Sequence, residues 1–187
     1  MKWCLQTRLN KLILTTILFG LTSCQNSGFI TPQTQIINAT LNSSSAEGTS
    51  NFSHDGRYLI YTSDRNSQRS VLLYDLRSRS LIPLPGLNQQ GSMQSQADIS
   101  ADGRYIVYVS EQFGKPDIFL YDRLTSKSTN LTKSFIGEVR NPSISGNGRF
   151  VAFEGNRSGQ WDIEIYDRGL GVDLSLPGNL SQPTEAE

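Results

Sequence analysis

Four successive apolar positions, Tyr58-Leu59-Ile60-Tyr61, recur as Tyr105-Ile106-Val107-Tyr108 and as Phe150-Val151-Ala152-Phe153. Runs this short show neither the alternation of a half-exposed strand nor the 3.6-residue spacing of a helix, and they predict strands covered on both faces. Just upstream of each run stands Asp-Gly or Asn-Gly, at 55–56, 102–103 and 147–148, the pair that supplies the positive φ of a tight hairpin turn. One strand is therefore expected to end near Ser53 and the next to begin near Arg57. After a polar loop, a third strand is predicted at Val71 to Tyr74, Ile118 to Tyr121 and Ile163 to Tyr166. Short fourth strands are expected at Leu81-Ile82, at Thr129 to Thr132 and at Asn179 to Ser181, and Gln35 to Leu41 reads as one more of them ahead of the first set.

These elements are copies of one unit. The 24-residue blocks Ser53 to Leu76, Ser100 to Arg123 and Ser145 to Arg168 align without a gap, at offsets of 47 and 45 residues. Five columns are identical in all three: Ser53/Ser100/Ser145, Gly56/Gly103/Gly148, Arg57/Arg104/Arg149, Tyr74/Tyr121/Tyr166 and Asp75/Asp122/Asp167. Four antiparallel strands in each period of this length, with buried faces, describe the blade of a β-propeller. The predicted fold is all-β: three propeller-type blades at about 50–85, 97–132 and 142–181 within residues 50–182, a partial or half propeller. Asp55, Asp102 and Asn147, with the glycines after them, are expected to be structural turn residues. Asp75, Asp122 and Asp167 repeat with the fold and read as turn-capping or blade-linking carboxylates.

The motif Ser-x-Asp-Gly-Arg-Tyr-x-Ile-Tyr at 53–61, followed by Ser63-Asp64-Arg65, resembles the repeat of the TolB-like β-propellers, bacterial relatives of the WD-repeat fold. The second and third copies match as well, over about residues 50–181. The chain departs from the family's usual Pro before the Asp, holding His54, Ala101 and Gly146 there. The resemblance implies binding of protein partners in cell-envelope complexes. Closed propellers have four to eight blades and TolB-like ones typically six. Three blades therefore point to three arrangements: two chains that pair as a homodimer to complete a six-bladed ring, an open wedge, or a non-functional fragment of a longer protein. End blades left unclosed expose apolar faces, so self-association is expected.

The N-terminus reads as an address. Residues 1–23 carry Lys2, Arg8 and Lys11 with no acid, then an apolar stretch from Leu12 to Leu21 too short to cross a bilayer core of roughly 30 Å comfortably. Leu21-Thr22-Ser23-Cys24 resembles the lipobox of bacterial lipoproteins. That resemblance implies cleavage before Cys24, lipid attachment to its sulfur, membrane anchoring, and export to the periplasmic side of a bacterial membrane. A plain signal peptide or an uncleaved anchor is the alternative. Gln25 in place of an Asp points to the outer membrane where the enterobacterial sorting rule operates. Residues 24–49 form the lipidated N-terminus and a polar Gln/Asn/Ser/Thr tether around the stray strand, and 183–187 a flexible tail.

Charge and composition narrow the chemistry. Basic and acidic residues number 17 each, which argues against a nucleic-acid binder. Loss of residues 1–23 removes three basic residues and leaves the remainder at −3. Of the two cysteines, Cys4 leaves with the signal and Cys24 takes lipid, so no disulfide is expected. Two Cys and one His are too few for a Cys/His zinc site, and no phosphate or EF-hand loop is present, so no metal or cofactor is expected. His54 sits in a hairpin turn, so a Ser-His-Asp site is not expected. The function predicted is a membrane-anchored envelope lipoprotein that binds a protein or polymer and is not an enzyme. A small hydrolase acting on glycans or peptides through paired carboxylates among Glu111, Glu138, Glu154 and Glu164 is the alternative. Binding is placed at the end of the blades that carries the long loops, 64–70, 86–96, 111–117, 133–141 and 156–161. Its candidate contacts are Arg65, Arg69, Phe113, Lys115, Phe135, Arg140, Arg157 and Trp161, the aromatic and basic types that dominate interface energetics.

Overall fold

The computed structural model describes residues 41–65 and 67–170, and the described residues hold strands and no helix. The first sheet joins β1 (Glu47–Phe52), β2 (Tyr58–Ser63), β3 (Ser70–Asp75) and β4 (Ser80–Ile82) in sequence order. The second joins β5 (Gln94–Ile99), β6 (Tyr105–Ser110), β7 (Asp117–Asp122) and β8 (Lys127–Asn130) in the same way. The third holds β9 (Val139–Ile144), β10 (Phe150–Gly155) and β11 (Asp162–Asp167). Every pairing is antiparallel. β1 starts at Glu47, ahead of the expected boundary at 50, and β8 lies two residues before the predicted Thr129 to Thr132. Lys127-Ser128-Thr129-Asn130 has no apolar residue to announce a strand, and its place is set by pairing with β7, Asp122 against Lys127 through Phe119 against Asn130. The strands expected at Asn179 to Ser181 and Gln35 to Leu41, apart from Leu41 itself, lie outside the described residues, as do Cys24 and the signal; Leu41 is not in a strand.

The sheets stack face to face, β5 against β1, β2 and β3, and β9 against β5, β6 and β7. The second blade shows why its strands are apolar without alternation. Ile106, Tyr108, Phe119 and Tyr121 join Tyr58, Ile60, Val71 and Leu73 of the first blade in one core. Tyr105, Val107, Val109, Ile118 and Leu120 point the other way, into a second core with Val139, Ile144, Val151 and Phe153 of the third. Leu87 and Phe135, from the links between blades, pack into or against these cores. Each fully buried side chain of this size contributes about 1.5–3 kcal/mol.

The repeated polar columns bind each blade to itself, and backbone bonds at its hairpin turn bind it to its neighbour. Ser53, Ser100 and Ser145 accept the backbone N–H of the residue five positions on, and donate to Asp55, Asp102 and Asn147. Arg57, Arg104 and Arg149 pair with Asp75, Asp122 and Asp167 across the hairpin. These aspartates also cap the next turn, accepting the N–H of Arg77, Leu124 and Gly169. Between blades, His54 N–H donates to Ala101 O at 3.1 Å and Ala101 N–H to Gly146 O at 3.0 Å. The hydrogen bond from Arg149, then that from Gly169 N–H, hold the Asp167 carboxyl at about 2, below its usual 3.8. Arg57 holds Asp75 down in the same way, and Ser53 does so for Asp55. A carboxylate whose pKa is depressed on folding contributes stability that is complete above its unfolded-state pKa and is lost as pH falls through the folded one. Urea titrations are therefore expected to show stability flat down to about pH 4 and falling between about 4 and 2. Asp75→Asn should flatten part of that fall.

Candidate functional site

The long-loop end holds every predicted contact residue, but the structure uses several of them internally. Arg65 is 7% exposed at its side chain and donates to Tyr61 Oη, Glu47 Oε1 and the Leu41 carbonyl at 3.0–3.1 Å. Pairing of β1 with β2 sets Glu47 opposite Ser63, which brings its carboxylate to Arg65. Lys115 Nζ lies 2.6 Å from the buried Asp117. Phe135 packs edge-on against Phe153 and fills the space over Gly155. Arg69 pairs with Asp64 and Arg157 with Glu164. Two features of that end project outward. Phe113 is 69% exposed, and the Arg140 guanidinium lies 3.9 Å from the centre of the half-exposed Trp161 ring while Nε donates to Glu154. Trp161 therefore presents a ring already braced by a cation.

Near that end, the inner strands carry a feature that no residue type announced. The register of β1, β5 and β9 against its neighbour shifts at the same place in each blade, and the non-glycine residues Thr49, Gln96 and Asn141 take φ of 34°, 50° and 50° there. Each is a bulge that turns polar side chains toward the neighbouring inner strand. Asn51 donates to Ala97 O, Gln96 accepts from Asn141 N–H, and Asp98 accepts from Ser143 Oγ and Ile144 N–H.

A second surface lies on the outward side of the third blade. The repeat positions that are buried in the first two blades are uncovered here. Val71 and Ile118 are both 0% exposed and their counterpart Ile163 is 70%; Leu73 and Leu120 are 0% and 5% and Ile165 is 69%. The expectation that both faces of the second strand are covered thus fails for β10, whose Phe150, Ala152 and Glu154 have no further blade against them among the described residues. Phe150, Ala152 and Ile165 line a depression of about 430 Å³ with Ser143, Ile144 and Ser145. Ion pairs flank the face at both ends, Arg149 with Asp167 and Arg140 with Glu154. The opposite end of the array is asymmetric to it. On the first blade, Leu59 and Tyr61 are buried, but Phe52 is 59% and Leu76 42% exposed.

Of the four candidate carboxylates, Glu154 is bonded to Arg140 and Asn141, and Glu164 to Arg157. Hydrogen bonds from Asn141 and Arg140 hold Glu154 below the usual range, the opposite of what a general acid requires. No group of His, Cys, Asp and Glu suited to a metal ion occurs among the described residues, nor does any helix there have the length and apolarity to cross a membrane.

No family model and no curated protein matches the chain. Solved structures do. TolB from Acinetobacter baumannii superposes with a TM-score of 0.58 at 20% identity, covering 71% of this chain and 32% of that one. The putative TolB from Agrobacterium tumefaciens gives 0.55 at 19%, covering 70% and 46%. A puromycin-hydrolyzing peptidase from Mycobacterium tuberculosis gives 0.52 at 14%, covering 68% of this chain and 20% of that one. The chain spans less than half the length of each. Likeness at this identity establishes the fold, which is that of a TolB-like propeller with three blades among the described residues.

Proposed function

We propose that this chain is an exported, lipid-anchored binding scaffold of the bacterial cell envelope that holds a protein or polymer partner at its long-loop end and performs no reaction of its own. The observation that carries the reading is the Arg140–Trp161 stack on the third blade, with the exposed Phe113 on the second blade at the same end. Aromatic and arginine side chains raised on a rigid sheet edge are the anchors that supply most binding energy in protein interfaces. The likeness of the fold to TolB supports the placement in the envelope, and Leu21-Thr22-Ser23-Cys24 supports the anchor. A lipidated Cys24 carrying two or more acyl chains would make attachment effectively permanent, since each buried methylene contributes about 0.8 kcal/mol.

Two measurements test this reading. Cys24→Ser is expected to abolish incorporation of labelled palmitate and to release the chain from pelleted membranes; unchanged labelling contradicts the anchor. Trp161→Ala combined with Arg140→Ala is expected to leave the unfolding temperature close to that of the unsubstituted chain and to weaken capture of crosslinked envelope partners about thirtyfold, the loss of about 2 kcal/mol typical of a hot spot. Undiminished capture contradicts the site.

A further inference from the structure

We infer that the bare face of the third blade seats the first blade of a second copy of this chain, head to tail, in the register that joins the blades within one chain. The Arg140–Trp161 stack borders this face through Glu154, and the two readings are told apart by their variants: Ala152→Ile fills the seat and leaves the stack in place, whereas Trp161→Ala removes the stack and leaves the seat open.

The join occurs twice inside the molecule and its parts can be named. Tyr58 of the first blade is met by Gly103 of the second, and Arg123, tied to the Gly103 carbonyl at 2.6 Å, lies over the Tyr58 ring at 4.7 Å. Tyr105 is met in the same way by Gly148 and by Arg168, at 4.1 Å. Beside each tyrosine, the last residue of the next blade's inner strand fills the core: Ile99 packs with Ile60 and Leu73, and Ile144 with Val107 and Leu120.

The two ends of the array carry the halves of a third such join. Phe150, Ala152 and Ile165 stand where Tyr58, Ile60 and Leu73 stand in the first blade, and Phe52, Gly56 and Leu76 stand where Ile99, Gly103 and Arg123 stand in the second. A Cβ at Gly56 would meet nothing within 4 Å. Counterparts of these positions are buried at the internal joins, apart from the half-buried Arg123 and Arg168, whereas Phe52 is 59% exposed against 5% for Ile99. The two halves also depart from the internal pattern in a matched way. Where the inner joins set Ile60 or Val107 against an isoleucine, the ends offer the small Ala152 and the large Phe52, a volume-compensating exchange of the kind that close-packed interiors accept. Where the inner joins set a tyrosine beneath an arginine, the ends offer Phe150 and Leu76, apolar on both sides. The depression of about 430 Å³ at Phe150, Ala152 and Ile165 is the seat for the Phe52 ring of the second copy.

The contact continues an interface the chain already makes twice. Leu59 and Tyr61 on the docking face of the first blade are already buried, Tyr61 beneath Arg65, much as Phe135 from the preceding link covers Phe153. The half-buried Leu72 and Tyr74 remain for the partner. Two copies joined this way use both ends of each described blade array and close on a twofold axis, giving three plus three described blades, within the four to eight of closed propellers.

The test uses the full chain in membranes. Phe150→Cys combined with Leu76→Cys is expected to be joined into a dimer by a bifunctional maleimide that spans the reach of the arginine found at this position in the internal joins, and neither substitution alone should be so joined above the background set by the unsubstituted chain, which keeps Cys4 and Cys24. In the same double-cysteine chain, Ala152→Ile is expected to abolish the crosslink by filling the seat. Ala152→Ile together with Phe52→Ile, which recreates the internal pairing of Ile60 with Ile99, should restore it. A dimer from Phe150→Cys alone would mean that two third blades meet face to face and would overturn the inference. So would a crosslink to a different protein, or no crosslink from a chain whose unfolding profile is unchanged.

Discussion

Replacing Gly103 by alanine is expected to destabilise the domain by about 2–4 kcal/mol, while the same change at Gly56 costs about 1 kcal/mol. Both glycines occupy the positive-φ position of an Asp-Gly turn, at 78° and 66°, so both carry the backbone penalty of a Cβ in that region. Only Gly103 adds a collision. Its Cβ would enter the ring of Tyr58, and that ring cannot retreat, because Arg57 lies over it at 4.8 Å, Arg123 at 4.7 Å, and the core of the first two blades surrounds it. Urea unfolding of the two variants side by side measures the difference. Equal losses would mean that the second blade does not rest on the first in this register.

The second large effect comes from one repeat position read in three places. Leu73→Ala and Leu120→Ala should each cost about 2–5 kcal/mol, the range for a fully buried aliphatic side chain that leaves a cavity. Ile165→Ala, at the equivalent position on the bare face, should stay within about 0.5 kcal/mol in the monomer. Chemically near-identical deletions at the same point of the same unit then differ only in whether a further sheet lies against them. If the two copies associate as inferred, the Ile165→Ala variant should acquire a cost that grows with protein concentration, since association stabilises by mass action. Denaturation at a series of concentrations reads both quantities.

The repeating unit was legible because it is written in residues with narrow conformational meaning. Asp-Gly fixes a hairpin, a run such as Tyr105-Ile106-Val107-Tyr108 has no face to give to water, and the Arg-Asp columns at 57/75, 104/122 and 149/167 proved to be cross-hairpin ion pairs. Three things were not legible. The bulges at Thr49, Gln96 and Asn141 share a backbone conformation and no residue type. Arg65 reads from its neighbours as a loop cation, yet the pairing of β1 with β2 supplies Glu47 and draws it inside. The openness of the third blade cannot be read from Phe150 to Phe153, which resemble their buried counterparts, because burial there depends on whether another sheet is stacked against them. The column Leu76/Arg123/Arg168 did carry a trace of it: the two arginines reach back onto a preceding blade, and the leucine stands on the first blade of the described residues.

The stacking of sheets in register is tested most directly by proton resonances of three glycines in dilute solution. A Cβ at Gly103 or Gly148 would fall within 3.0 Å of the Cδ2 and Cε2 atoms of Tyr58 or Tyr105, while Gly56 faces open space. The Hα signals of Gly103 and Gly148 are expected to be displaced by the ring currents and to show strong cross-relaxation to the Tyr58 and Tyr105 ring protons, with Gly56 at an ordinary position. Three glycines with the same unshifted resonances, and no ring contacts, would contradict the account.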